Sequence, residues 1–294
     1  MAGTPVREAI DSAMVALTAA GVDTPRLDAE VLLAHVLGTE RLRLLSDRDA
    51  VVEGPAVRAF QDAVRRRAVD REPVAYITGV KGFRRLEIAV DPRVLIPRPE
   101  TETLVEAALD VLPQGARVVD VGTGSGAVAL ALKDERPDLD VVATDVSEDA
   151  LAVARANAER LGLAVEFVHG DLLAGAGEVD GVVSNPPYVE DGAELAPEIV
   201  RHEPALALRA GPDGLDVLRL LVPAAAARRS CRCGSSPRDR RCRPARGGRR
   251  RARPAARTAR ARTGARAGRA SPSRGSAAGT SRPASRPRCR SACG

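Results

Sequence analysis

Two short segments of this 294-residue chain carry residue types that could do chemistry. The first is Asp120-Val121-Gly122-Thr123-Gly124-Ser125-Gly126, an acid closing an apolar run and then three glycines in five positions. Glycine lets the backbone take positive φ and approach a ligand closely. A helix that opens just after such a loop offers free N–H groups to a carboxylate. On its own the loop fits a sulfonium nucleoside, a nicotinamide dinucleotide, or a tight turn with no ligand.

The second segment is Asn185-Pro186-Pro187-Tyr188. Its prolines fix φ and remove two backbone donors. The remaining corner offers carbonyls, an amide and an aromatic face, which suits a planar –NH2 group. Asn185 Oδ1 and the Pro186 carbonyl could accept its two hydrogens while Tyr188 covers the plane. An amide nitrogen is a poor nucleophile because its lone pair is delocalised into the carbonyl. Two acceptors on its hydrogens help to localise that pair, and positioning is then most of the catalysis of a methyl transfer. The alternative is a proline-rich loop that only ends a strand.

Two of the acids between these segments end strand candidates and could meet a cofactor. Asp145 comes 19 residues after Gly126, near the roughly 20-residue spacing at which an acid meets ribose hydroxyls. It could also cap the following helix, as could Ser147. Both roles hold together if Ser147 caps and Asp145 binds. Asp171, in Gly170-Asp171-Leu172, could meet an adenine amino group, although Asp is common in loops for local reasons.

These residues need a frame. Short apolar runs at 117–121, 140–145, 164–168 and 179–184 read as strands, and 126–133 and 150–161 as helices. Another helix begins over 215–221. Such alternation predicts a parallel sheet with helices on both faces, and ligands bind such sheets at the carboxyl ends of the strands. All four candidate segments fall there.

Upstream, Val6, Ile10, Met14 and Leu17 recur at helical spacing, as do Leu27, Val31, Leu32 and Val36, and 56–68 is a third helical stretch. Residues 1–72 are therefore expected to form a small helical domain. A β-hairpin linker is expected over 73–100, from Val74-Ala75-Tyr76-Ile77 and Leu86-Glu87-Ile88-Ala89-Val90. Pro97 and Pro99 break regular structure. A helix is then expected to start at Thr101, with Glu100, Glu102 and Glu106 favouring its N-terminal end.

Composition divides the chain. Residues 228–294 hold 22 Arg and one acid, Asp239, so 23 of the 45 basic and 38 of the 39 acidic residues precede them, a balance of −15. The overall +6 describes neither part. An acidic body argues against nucleic acid as a specific partner, leaving only non-specific binding by the tail. After Val222 there is no Leu, Ile, Val, Met, Phe, Tyr or Trp. Such a stretch is expected to be disordered. All five cysteines lie there at spacings that match no zinc motif, so no metal is expected. No run approaches the roughly 18 apolar residues that span a bilayer. No signal peptide is evident, and a cytoplasmic location is the default expectation.

The chain resembles the protein-(glutamine-N5) methyltransferases that modify peptide chain release factors. Glu72 to Gly79, Ile96-Pro97-Arg98-Pro99-Glu100-Thr101-Glu102, the glycine loop and Ser184 to Val189 carry the resemblance, with Glu203-Pro204 through Leu215 in support. It implies a class I, Rossmann-like α/β sheet over 101–222 behind the helical domain, which would help to dock the factor. It implies S-adenosylmethionine as cofactor and, as substrate, the glutamine of the Gly-Gly-Gln motif in class 1 release factors. The residues expected at the cofactor are Asp120, Gly122, Thr123, Gly124, Ser125, Gly126, Asp145, Asp171, Leu172 and Asn185. Those at the glutamine are Asn185, Pro186, Pro187 and Tyr188, with Asn185, Pro186 and Tyr188 catalytic. Position 172 is often aromatic in relatives, and Leu there weakens stacking on adenine.

The resemblance stops near Leu221. The family's later strands have no counterpart, and 223–294 reads like translation of a GC-rich gene in a shifted frame. A monomer is expected. Rival readings are a ribosomal-protein glutamine methyltransferase, which shares the motifs; an adenine-N6 nucleic-acid methyltransferase, which the acidic body disfavours; and a basic nucleic-acid-binding protein, whose tail lacks interleaved aromatics.

Overall fold

A computed structural model describes residues 3–47 and 50–228. The helical part comprises β1 (Thr4–Pro5), α1 (Val6–Ala19), α2 (Pro25–Leu37), α3 (Arg41–Ser46), β2 (Val51–Val52) and α4 (Pro55–Arg65), which runs into a π-helical turn over Arg66–Asp70. Proline at the first turn of α2 and α4 supplies a preset φ where no N–H is needed, and Gly38 at φ 59° ends α2. Leu17, Leu32, Leu33 and Phe60 pack at the centre of this part's own core. The third expected helix is shorter than 56–68, because the chain widens into the π turn after Arg65.

The linker differs from expectation. Val74–Thr78 is a helix, α5, and not a strand. The Pro73 carbonyl accepts from Tyr76 N (2.9 Å) and Ile77 N (3.1 Å), and Gly79 ends the turn at φ 75°. The hairpin is there, but its strands are β3 (Val80–Phe83) and β4 (Leu86–Ala89). α5 joins two cores: Ile77 belongs to the helical part, and its neighbour Tyr76 to the sheet.

Next come α6 (Pro99–Val111), β5 (Arg117–Val121), α7 (Ala127–Glu135), β6 (Asp140–Asp145), α8 (Glu148–Leu161), β7 (Glu166–His169), β8 (Gly181–Ser184), α9 (Pro197–His202), a 3₁₀ turn (Ala205–Ala207) and α10 (Asp216–Ala227). α6 starts two residues before Thr101, with Pro99 in its first turn. Strands β7-β6-β5-β8 form one parallel sheet in that order. The expected α/β class is therefore observed. The order turns back at β5, between β6 and β8, which places a ligand crevice at their carboxyl ends.

One sheet face carries the larger core, where Val118, Val141 and Ala143 meet Leu130, Leu132 and Val105. The other carries Val119, Val121 and Val142 under Leu173, Ala176, Val179 and Leu221. No strand follows β8 among the described residues. α10 corrects the expected start of disorder at 223, for it continues through Pro223 to Ala227, with Ala224 and Ala225 packed beside Leu221. The rest of that expectation, the shifted-frame reading and the five cysteines lie outside the described residues. Among the described residues no cluster suits a metal ion, and no helix is long and apolar enough to cross a membrane.

Candidate active site

A cavity of about 430 Å³ opens at the carboxyl ends of β5, β6, β7 and β8, within the usual size for a small-molecule site. Asp120, Gly122, Thr123, Gly124, Ser125, Asp145, Asp171, Leu172, Asn185, Pro186 and Pro187 all line it. Eleven expected residues, drawn from four strand ends up to 67 positions apart, thus line one cavity.

The glycine loop is shaped from beneath. Asp120 is 1% exposed, and its Oδ2 accepts from the Thr123 hydroxyl (2.7 Å) and Ala129 N (3.2 Å). Burial pushes its carboxyl up to about 7, against the pull of those two donors, and the charge of Asp145 adds to the rise. Asp120 therefore organises the loop as well as facing the cavity. Gly122, Gly124 and Gly126 all have positive φ, and a Cβ at Gly122 or Gly124 would meet nothing within 4 Å. Their bare backbone leaves room for a ligand. Gly126 departs from expectation, for it is not in the lining. A Cβ there would stand 3.1 Å from Leu130 Cδ1 and 3.2 Å from Ala154 Cβ, so this glycine serves the close packing of α7 on α8. α7 has no side-chain cap, and its first residues, Ala127 and Val128, face the cavity. Such a helix start suits a carboxylate.

Asp145 Oδ2 accepts from Gly124 N and Oδ1 from Ser147 N, both at 2.9 Å. Each oxygen keeps further acceptor capacity for a ligand hydroxyl. Ser147 is the cap of α8, accepting from Ala150 N at 3.2 Å, so the cap falls to Ser147 and Asp145 is left facing the cavity. On the far wall the Ser184 hydroxyl donates to the Val121 carbonyl at 2.7 Å, fastening the end of β8 to the end of β5. Asn185 Nδ2 donates to Thr101 Oγ1 at 3.3 Å, which leaves Oδ1 as the free acceptor of that amide.

Tyr188 is not where the sequence suggests. It is 63% exposed and outside the lining. The chain just after it is drawn aside: Val189 N donates to the Leu208 carbonyl and Ala210 N to the Val189 carbonyl, both at 2.9 Å. Gly214 packs so closely that its Cβ would stand 2.4 Å from the Tyr188 carbonyl oxygen. In this structure Pro187, Leu206 and Ala207 line the cavity beside Asn185. Sequence reasoning missed Thr101 and the 204–209 lip as site residues, although both lie inside segments that carry the resemblance.

A parallel sheet with a glycine-rich cradle, an acid on the second strand and an Asn-Pro-Pro corner on the fourth defines a Rossmann-like methyltransferase. Residues 100–211 match the model of the methyltransferase small domain, and residues 8–79 that of the PrmC N-terminal domain. The chain belongs to the release factor glutamine methyltransferase family. It is 47% identical over 230 residues to the Mycolicibacterium smegmatis release factor glutamine methyltransferase, covering 76% of this chain and 80% of that protein. It is likewise 47% identical over 227 residues to the Deinococcus radiodurans enzyme, with 76% and 81% covered.

Proposed function

We propose that this chain is an S-adenosylmethionine-dependent methyltransferase of the side-chain amide nitrogen of the Gly-Gly-Gln glutamine in class 1 release factors. The juxtaposition of Asn185 with the glycine loop across one cavity carries this reading. Bound S-adenosylmethionine supplies an electrophilic methyl group. The bare backbone at Gly122 and Gly124, the spare acceptor capacity of Asp145 and the uncapped start of α7 suit its nucleoside and amino-acid ends.

The chain's own residues do the remaining work. Asn185 Oδ1 and the Pro186 carbonyl hold the two amide hydrogens of the glutamine. That concentrates the nitrogen lone pair and aims it at the cofactor side of the cavity, so much of the rate comes from orientation. Formation of the N–CH3 bond breaks the S–CH3 bond, with S-adenosylhomocysteine as leaving group, and one of the two held N–H hydrogens departs as a proton. Pro187 and the 204–209 lip exclude water from the corner. Residues 1–72 dock the factor, 73–100 link, and 101–222 hold the chemistry. The protein acts as a monomer in the cytoplasm, where release factors are made.

Parallel incubations with labelled S-adenosylmethionine and release factor, ribosomal protein or DNA test this. Label should enter the release factor at the glutamine. Label on DNA alone would defeat the proposal.

A further inference from the structure

We propose that Thr144 is a positioning residue for cofactor binding, its hydroxyl holding the 170–172 loop in the backbone conformation that completes the cavity. This rests on reading the cavity as the S-adenosylmethionine site.

Thr144 is fully buried in β6, between Val121 of β5 and Val168 of β7. Its carbonyl accepts from Gly122 N (2.9 Å) and Thr123 N (3.0 Å), so the glycine loop begins on it. Its hydroxyl donates to the Leu172 carbonyl at 2.7 Å. Leu172 has φ 50°, in the left-handed region that residues other than glycine rarely adopt. Such a conformation persists when its surroundings over-determine it, and the Thr144 hydroxyl is a fixed partner at that residue. Leu172 and Asp171 both line the cavity.

The next residue completes the hub. The Asp145 carbonyl accepts from Gly170 N at 3.0 Å, and its carboxylate accepts from Gly124 N and Ser147 N. Three loops that face the cavity are thus tied to one dipeptide, and the hydroxyl is the tie that reaches Leu172. As a buried strand residue Thr144 could be valine, which has the same shape and good β preference. What valine lacks is the hydroxyl.

The test uses full-length Thr144→Val, Thr144→Ala and Thr144→Ser, each checked by a melting curve. Isothermal titration gives the Kd of S-adenosylhomocysteine, and steady-state assays give both KM values and kcat. Val and Ala should each weaken S-adenosylhomocysteine about tenfold, as expected for one lost hydrogen bond and an orphaned carbonyl. KM for S-adenosylmethionine should rise in step, while KM for release factor stays unchanged. Ser should stay within about twofold of the unaltered chain because its hydroxyl remains, even if loss of the buried methyl lowers its melting temperature.

Binding by Thr144→Val equal to that of the unaltered chain would overturn the proposal. So would equal losses in Val and Ser, which would make packing the cause. Failure of the unaltered chain to bind S-adenosylhomocysteine would overturn the cofactor reading itself, and this proposal with it.

Discussion

Replacing Gly126 by alanine would set a Cβ 3.1 Å from Leu130 Cδ1 and 3.2 Å from Ala154 Cβ, at φ 83°. Leu130 and Ala154 are both fully buried, so neither has space to withdraw into. A left-handed conformation costs an alanine about 1–2 kcal/mol, and overpacking a tight core about 1–3 kcal/mol. Together that is about 2–5 kcal/mol, or about 4–20 °C in melting temperature for a unit of this size. Gly124→Ala differs. At φ 56° it carries the same backbone cost, but its Cβ meets nothing within 4 Å, so the fall should be about 2–8 °C.

Binding should rank the two the other way. Gly124 lines the cavity and Gly126 does not. Gly124→Ala puts a methyl group into the ligand's space and should weaken S-adenosylhomocysteine by more than about tenfold, the effect of roughly 1.4 kcal/mol. Gly126→Ala, titrated well below its melting temperature, should bind within about threefold of the unaltered chain. Calorimetric melting and isothermal titration on the same samples measure both. A stable Gly126→Ala that cannot bind, or a Gly124→Ala that binds normally, would refute this assignment of roles.

Asn185→Ala should abolish methyl transfer to release factor while S-adenosylhomocysteine binding persists; loss of cofactor affinity as the main defect would contradict its substrate role. Thr101→Val removes the hydroxyl that accepts from Asn185 Nδ2 and should lower kcat with little change in cofactor Kd, with Thr101→Ser restoring the rate. Asp120 gives a pH signature. Its folded carboxyl sits near 7, above the ordinary value of 3.8, so the native state holds a proton that the unfolded chain has lost. Stability should therefore fall as pH rises from about 4 to about 7. Asp120→Asn should flatten that fall, and identical slopes of melting temperature against pH in the two proteins would reject the assignment.

Much of the sheet was legible because its signals are local. An apolar run, a glycine turn and a helical period each declare themselves within a dozen residues. α5 reads as a strand because five residues make little more than one helical turn, too few for the period to repeat, and Val-Ala-Tyr-Ile has strand preference. Its form is decided by the Pro73 carbonyl and by Gly79 at φ 75°. The site's position was legible where a motif carries it: Gly122, Asp145 and Asn185 all line the cavity. It was misread where distant chain decides. Tyr188 beside two prolines looks like a cover, but Leu208, Ala210 and Gly214 draw its neighbours aside. The Thr101 contact with Asn185 spans 84 positions, and no local pattern encodes such a pair.

The same distance argument explains how the helical part and the pocket lip become one object. Arg67 in the π turn and Arg71 just after it both reach Glu198 of α9, at 3.5 and 3.0 Å. Arg67 is also held by Asp28 of α2 at 2.7 Å, with both side chains more than nine-tenths buried. Burial acts to raise the Glu198 carboxyl, but its own backbone amide and the two guanidinium groups prevail and hold it below its ordinary value. Further along, His202 Nε2 meets the Asp70 carbonyl at 2.8 Å, and the buried Glu203 accepts from Ile96 N at 3.2 Å and pairs with Arg98. Breaking a buried pair of this kind costs far more than losing a surface one. The segment that ends in Pro204, Leu206 and Ala207 is therefore set by the helical part as firmly as by the sheet. If release factor docks on those helices as proposed, it meets a pocket lip already held in register with them.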